Sequence, residues 1–243
     1  MKICTRAFLT MLCFGAMLMI PGLRSANAAE EKPTRTLGVL LFPGFEMLDA
    51  SGPMEMWGNL GAKVQMITVA AAKGPVVSAQ GVKMVADHDF GDCPPLDLVL
   101  VPGGMAAFQT MKDESTLQWL RERAAKAEIT MSVCNGASIL AAAGLLDGRR
   151  ATTNKAFWTE STAPGPKVNW VRKARWVDDG NIVTSSGVSA GMDMSLHVVA
   201  RLFGMKTAES LCRATEYEWH RDPDWDPFSE LPEAGAGRKK KAE

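Results

Sequence analysis

Histidine is scarce in this chain: only His88, His197 and His220 occur among 243 residues. None has a partner at metal-ligand spacing, and no CxxC or HxxxH pattern is present, so no metal site is expected. Long apolar runs are scarce too, and beyond Ile20 no segment is apolar for long enough to span a bilayer. No internal repeat occurs, and the one biased block is the basic run RKKK at 238–241. A surplus of charge is also missing, since Lys and Arg number 27, as do Asp and Glu. Lys2, Arg6 and Arg24 fall in the leader described next, which leaves 24 basic residues against 27 acidic, a net charge near −3. Because RKKK belongs to those basic residues, the body is more acidic still, which argues against a nucleic-acid surface.

What is present begins with MKICTRAFLTMLCFGAMLMIPGLRSANAAEE. A basic start, an apolar run from Ala7 to Ile20 and ANA at 26–28 form the pattern of a secretory signal peptide over 1–28. The apolar run is short for a membrane anchor. The mature chain is therefore expected to start near Ala29 and to be periplasmic or secreted, with no membrane association after cleavage. Cys4 and Cys13 leave with the leader, so Cys93, Cys134 and Cys212 remain, an odd number for an oxidising compartment. Residues 29–230 suffice for one domain with a full core. Residues 231–243, which contain RKKK, are expected to form a disordered basic tail.

Buried strands are predicted at TLGVLLF (36–42), AKVQMITVA (62–70), LDLVLVPGG (96–104) and EITMSV (128–133). Helices are predicted between and after them. The first, EMLDASGPMEMWGNLG, should be entered or interrupted near Gly52 and Pro53. GPVVSAQGVKMVADHDF should form a hairpin about Gln80-Gly81, and ARWVDDGNIVTSSG two short strands about Asp179-Gly180. Strands alternating with helices predict an α/β fold with a mostly parallel sheet covered on both faces. Ligands bind such sheets beyond the carboxyl ends of the strands, where the loops PGFEMLD, PGGMAAF and CNGAS should meet.

Cys134 stands in the last of these loops. EITMSV runs straight into it, and Asn135, Gly136 and Ala137 are small enough for the sharp turn of a nucleophile elbow. A helix N-terminus behind the sulfur should lower the thiol pKa. A buried, inert free cysteine is the alternative, and position alone leaves both open. Asp49 on residues alone is a charge at a helix N-terminus, and Gly103-Gly104 a strand-ending turn. His197 is expected in the core and His220 in a surface cap with Trp219 and Trp225. Trp158, Trp170 and Trp176 are expected to pack core, and Asp193 to be structural.

LLFPGFEMLDASGP, DLVLVPGG, SVCNGASILAAAGLLDGRRATT and TSSGVSAGMDMSLHVVARLFG resemble, in this order, the motifs of the ThiJ/PfpI superfamily, which is class I glutamine amidotransferase-like. The resemblance is greatest to its isonitrile-hydratase-like branch and runs from Thr36 to Tyr217. It implies a flavodoxin-like three-layer sandwich, a homodimer, a small-molecule substrate and no cofactor. It implies Cys134 as nucleophile and Asp49 as the acid beside it. It also implies that the Gly104 and Asn135 amides stabilise developing negative charge. Two positions depart from the pattern. Asn154, a candidate pocket residue, follows ATT where many members carry the histidine of a Cys-His pair, and an amide takes no proton at neutral pH. Asn135 follows the cysteine where isonitrile hydratases carry threonine. The implied activity is isonitrile hydration to N-substituted formamides. Aldehyde chemistry of the glyoxalase or deglycase kind is an alternative, as is a redox or ligand sensor related to the sensing domain of transcription regulators.

Overall fold

The computed structural model describes residues 35–234; the leader and the basic run lie outside the described residues. β1 (Arg35–Leu40) leads through a loop into α1 (Met47–Gly58), and β2 (Val64–Ala70) returns parallel to β1. The hairpin of β3 (Gly74–Val77) and β4 (Lys83–Ala86) forms as its alternation predicts, and β5 (His88–Asp89) edges the main sheet beside β2. β6 (Leu98–Val101), α2 (Ala107–Thr110), α3 (Glu114–Ala124), β7 (Ile129–Ser132) and α4 (Gly136–Ala142) continue the alternation. Then come β8 (Arg150–Ala151), α5 (Trp158–Thr162) and β9 (Asn169–Trp170). The antiparallel pair β10 (Trp176–Asp179) and β11 (Ile182–Ser185) precedes the closing helices α6 (Ala190–Phe203) and α7 (Met205–Thr215).

The main sheet has seven strands in the order β10-β11-β7-β6-β1-β2-β5, parallel throughout except for β10. Every residue of β6 and of β7 is buried, as continuous apolar runs covered on both faces require. α1 packs on α6, and α3 on α4, so helices flank the sheet in the flavodoxin-like sandwich. Among the described residues no helix is long and apolar enough to cross a membrane.

The structure corrects the sequence reading at three places. α1 runs unbroken through Gly52 and Pro53. Proline removes one N–H from the helix, but Pro53 is wedged against α6, where a Cβ on Gly191 would come within 3.3 Å of its ring. Tertiary packing therefore holds the turn. β8, β9 and α2 were not foreseen, because two to four residues are too few to show a period. Residues 231–234, assigned to the tail, are bound to the body: Thr159 N–H donates to Glu233 Oε2 at 2.9 Å and Ala234 N–H to Ala156 O at 2.8 Å.

α3 begins at a side-chain cap in which Asp113 accepts from the N–H groups of Ser115 and Thr116. These bonds, Thr116 Oγ1 first, hold the Asp113 carboxyl below its ordinary pKa. Asp113→Ala is expected to lower stability by about 1 kcal/mol at neutral pH. Because the folded pKa is depressed, that difference should fade as the pH drops through it. Urea midpoints of the two proteins at pH 7 and pH 3 test this.

Candidate active site

The loop after β7 turns sharply because two glycines let backbones touch. A Cβ on Gly136 would lie 2.3 Å from Val101 O, and one on Gly103 would lie 2.5 Å from Asn135 N. The loops after β6 and β7 are thereby nested, and no side chain larger than hydrogen fits between them. Cys134 absorbs the turn at φ 57°, a left-handed conformation uncommon for a residue with a side chain. It is pinned there by Cys134 N–H to Ser186 O at 3.1 Å and by Thr153 Oγ1 to Cys134 O at 2.9 Å. The nucleophile elbow predicted from CNGA is thus present.

The sulfur is enclosed rather than displayed, since Cys134 is only 4% exposed. Sγ accepts from Asn154 Nδ2 at 3.1 Å, and the N–H groups of Asn135 and Val188 also stabilise its charged form. Asp49, from the first turn of α1, is buried beside it. Asp49 Oδ2 accepts the Gly103 N–H at 2.9 Å, while Oδ1 is buried with no hydrogen bond of good geometry. Burial raises the Asp49 carboxyl to about 7, although the Gly103 N–H opposes the shift; Glu46 adds to it, and the Cys134 thiol, as a donor, opposes it.

Burial and then the neighbouring Asp49 push the Cys134 thiol up to about 12. This reverses the expectation that the helix N-terminus would lower it. Desolvation of the sulfur outweighs the three N–H donors around it. The resting site is therefore a protonated thiol beside a carboxyl that titrates near neutrality. The thiol is enclosed, whereas the redox-sensor alternative was argued from an exposed one.

The position of Asp49 depends on the β3–β4 hairpin. Gly44 N–H donates to Val77 O and Ala79 N–H to Phe45 O, each at 2.8 Å. Gln80, at the hairpin tip, accepts from Met47 N–H at 3.0 Å and so caps α1 from outside the helix.

The remaining predicted site residues divide by group. The Gly104 N–H meets no acceptor among the described residues, and Gly104 has φ 106°. The Asn135 N–H is directed to the sulfur. The Asn135 side chain is not offered to a ligand. Its Oδ1 accepts from Ser161 Oγ at 2.9 Å and its Nδ2 donates to Gly104 O at 3.4 Å, which braces the two loops. Asn154 is held by Ala156 N–H to its Oδ1 at 2.8 Å, so that its NH2 faces the thiol. Toward the thiol it is a donor, and an amide cannot serve there as a base.

The sequence reading had Asn154 as a candidate pocket residue; the extent of the pocket and a buried lysine beside it were not foreseen. A cavity of about 350 Å³ is lined by Asn154, Gly187 and Val188 together with Phe228, Leu231 and Pro232. Next to Asn154, Lys155 is buried, with Nζ 2.7 Å from Thr152 Oγ1, 2.9 Å from Thr153 O and 3.2 Å from Asp226 Oδ2. Burial lowers the Lys155 pKa to about 8, and Asp226 limits the fall. No motif announces this pair; the only signal was the acidic, aromatic character of DPDWDPF.

The histidines stay away from the thiol. His197 is not in the core as expected but half-exposed, bonded to Asp178 Oδ2 at 2.7 Å because α6 presents it to β10. His220 stacks on Trp225 with ring centroids 4.3 Å apart, as a surface cap would. Trp176 is core, whereas Trp158 and Trp170 are only partly buried and pack edge to face. Asp193 is structural, paired with Arg175 and accepting from Tyr217 Oη at 3.1 Å. Cys93, Cys134 and Cys212 are free thiols. Among the described residues no group of side chains is placed to hold a metal ion.

Comparison with known proteins adds independent support. The model of the DJ-1/PfpI family matches residues 35–201. Isonitrile hydratase from Pseudomonas putida is 39% identical over 181 residues, covering 74% of this chain and 78% of its own. The HTH-type transcriptional regulator CdhR from Pseudomonas aeruginosa is 28% identical over 173 residues, and the match spans 51% of that longer protein. Among solved structures, a ThiJ/PfpI family protein from Pseudomonas syringae superposes with a TM-score of 0.72 at 30% identity, covering 94% of this chain and 91% of its own. A DJ-1 superfamily protein from Salmonella typhimurium gives 0.67 at 26% identity, covering 76% of this chain. The elbow cysteine, the buried acid and these matches lead to one conclusion: the chain belongs to the DJ-1/PfpI family.

Proposed function

We propose that the protein is a cysteine-dependent enzyme that hydrates isonitriles to N-substituted formamides. The observation that carries this reading is Asp49, a buried carboxyl raised to about 7 beside the thiol of Cys134. Such an acid can take the thiol proton and return it to substrate carbon at neutral pH. The isonitrile carbon is both the site of sulfur attack and the site that is protonated. As Sγ bonds to that carbon, the thiol proton passes through Asp49 to the same carbon, giving a thioimidate on Cys134. Water then adds across the C=N bond, its proton going to nitrogen and its hydroxyl to carbon. Collapse of this adduct breaks the C–S bond, releases the formamide and returns the hydroxyl proton through Asp49 to sulfur. The Gly104 and Asn135 amides stabilise the oxygen as the adduct collapses.

Cys134→Ala is expected to lower formamide production by at least about 10⁴-fold, because no other nucleophile lies beside Asp49. Gas chromatography of the products from a simple aliphatic isonitrile tests it. Turnover that survives the substitution would refute covalent catalysis. On this reading the protein is exported after cleavage near Ala28 and works as a homodimer. The basic, apolar and small-residue order of the leader supports export, and the family resemblance supports the dimer.

A further inference from the structure

Part of the lining of the cavity beside Asn154 and Val188 comes from the far end of the chain. Residues 223–234 lie across the body as a strap fastened at successive points. Arg175 N–H donates to Pro223 O at 2.6 Å, and Ser186 Oγ to Asp226 Oδ2 at 3.0 Å. Asp226 also faces Lys155, and Arg172 Nε donates to Ser229 O at 2.8 Å. The contacts of Glu233 and Ala234 described above close its end.

Between these fastenings the strap presents Phe228, Leu231 and Pro232 to the cavity. Phe228 is 51% exposed and Leu231 53%, although the segment that carries them is tied down on both sides. The lining also includes Asn154 and Val188, two of the three residues whose N–H groups reach the sulfur. The cavity's one cation, Lys155, is already committed to Asp226. A ligand here therefore meets hydrocarbon from the strap and, elsewhere in the lining, Asn154 and Val188, which stand between the cavity and the buried sulfur. A volume of about 350 Å³ is at the small end of ligand sites and suits one compact group.

We propose that the strap is the specificity wall of the enzyme. Phe228, Leu231 and Pro232 receive an uncharged, compact hydrocarbon substituent, while the reactive carbon points between Asn154 and Val188 to Cys134. The identity of that carbon as an isonitrile rests on the proposed function; the apolar selectivity of the wall does not.

The test is designed to separate the two. Cys134 is alkylated at pH 9 with N-methylmaleimide or N-cyclohexylmaleimide, and modification at Cys134 is followed by peptide mass spectrometry. The rate ratio, cyclohexyl over methyl, is compared among wild type, Phe228→Ala and Leu231→Ala. Thermal unfolding shows that each variant is folded, which the partial exposure of both side chains favours. The ratio is expected to fall about tenfold in each variant, the discrimination a few methylenes give in an apolar pocket. A ratio unchanged in both folded variants overturns the proposal. Methyl and cyclohexyl isonitrile are then offered to the same proteins. A parallel fall in their kcat/KM ratio supports wall and hydratase together. A fall in the maleimide ratio with no isonitrile turnover keeps the wall and rejects the hydratase.

Discussion

Asp49→Asn is expected to give a protein that is more stable above pH 7 and almost inactive. The carboxyl titrates near 7 when folded against an ordinary 3.8, so the folded chain keeps a proton that the unfolded chain has released. Stability therefore falls as the pH rises from about 4 to about 7, and above 7 the loss is complete. About three pH units correspond to a ceiling of roughly 4 kcal/mol, and relaxation brings the expected cost to about 2–4 kcal/mol. Asparagine keeps an oxygen for the Gly103 N–H and carries no charge to desolvate. The variant should gain that 2–4 kcal/mol at pH 8 and little at pH 4, as measured by urea denaturation at the two pH values. An equal gap at both would mean that Asp49 does not titrate in this range. Turnover should fall by about 10²–10⁴-fold, the ordinary contribution of a general acid-base group. Removing the carboxylate also removes the second cause of the raised thiol, so Cys134 in the variant should ionise below 12.

Breaking the Lys155–Asp226 pair should produce the largest loss of stability. Both side chains are almost wholly buried, with Nζ and Oδ2 3.2 Å apart. Lys155→Met leaves Asp226 charged and enclosed, with Ser186 Oγ and the Phe228 N–H as its donors. Removing one partner of a buried pair costs about 3–5 kcal/mol. In a domain of this size that corresponds to a fall in Tm of roughly 6–20 °C. Asp226→Asn should cost less, because Lys155 keeps its bonds to Thr152 and Thr153. The double variant should be more stable than Lys155→Met alone, since no lone charge remains buried. Thermal unfolding of the four proteins gives the coupling directly. A fall of less than about 1 kcal/mol in Lys155→Met would show that water reaches the pair.

The framework was legible because its strands are buried on both faces. β1, β6 and β7 are continuous apolar runs ended by glycine, proline or cysteine, and the hairpin alternates about Gln80-Gly81. Cys134 was legible as an elbow from the strand before it and the small residues after it. Asp49 was legible only through the family resemblance, since an acid in a first helical turn is ordinary. The state of the thiol was not legible. Its pKa depends on how completely Asn154, Val188 and Asp49 enclose it, and these come from separate parts of the chain. The bracing role of Asn135 required Ser161, from a helix too short to foresee. Lys155 and Asp226 carry no spacing at all, and only packing pairs them.

The strap also bears on how the protein is made. Asp226 follows Cys134 by about 90 residues, which at ribosomal speed is roughly 5–20 s of synthesis. Throughout that interval the cysteine exists on the nascent chain before the strap that helps to line the neighbouring cavity has been made. That part of the cavity lining is among the last of the described residues to be made.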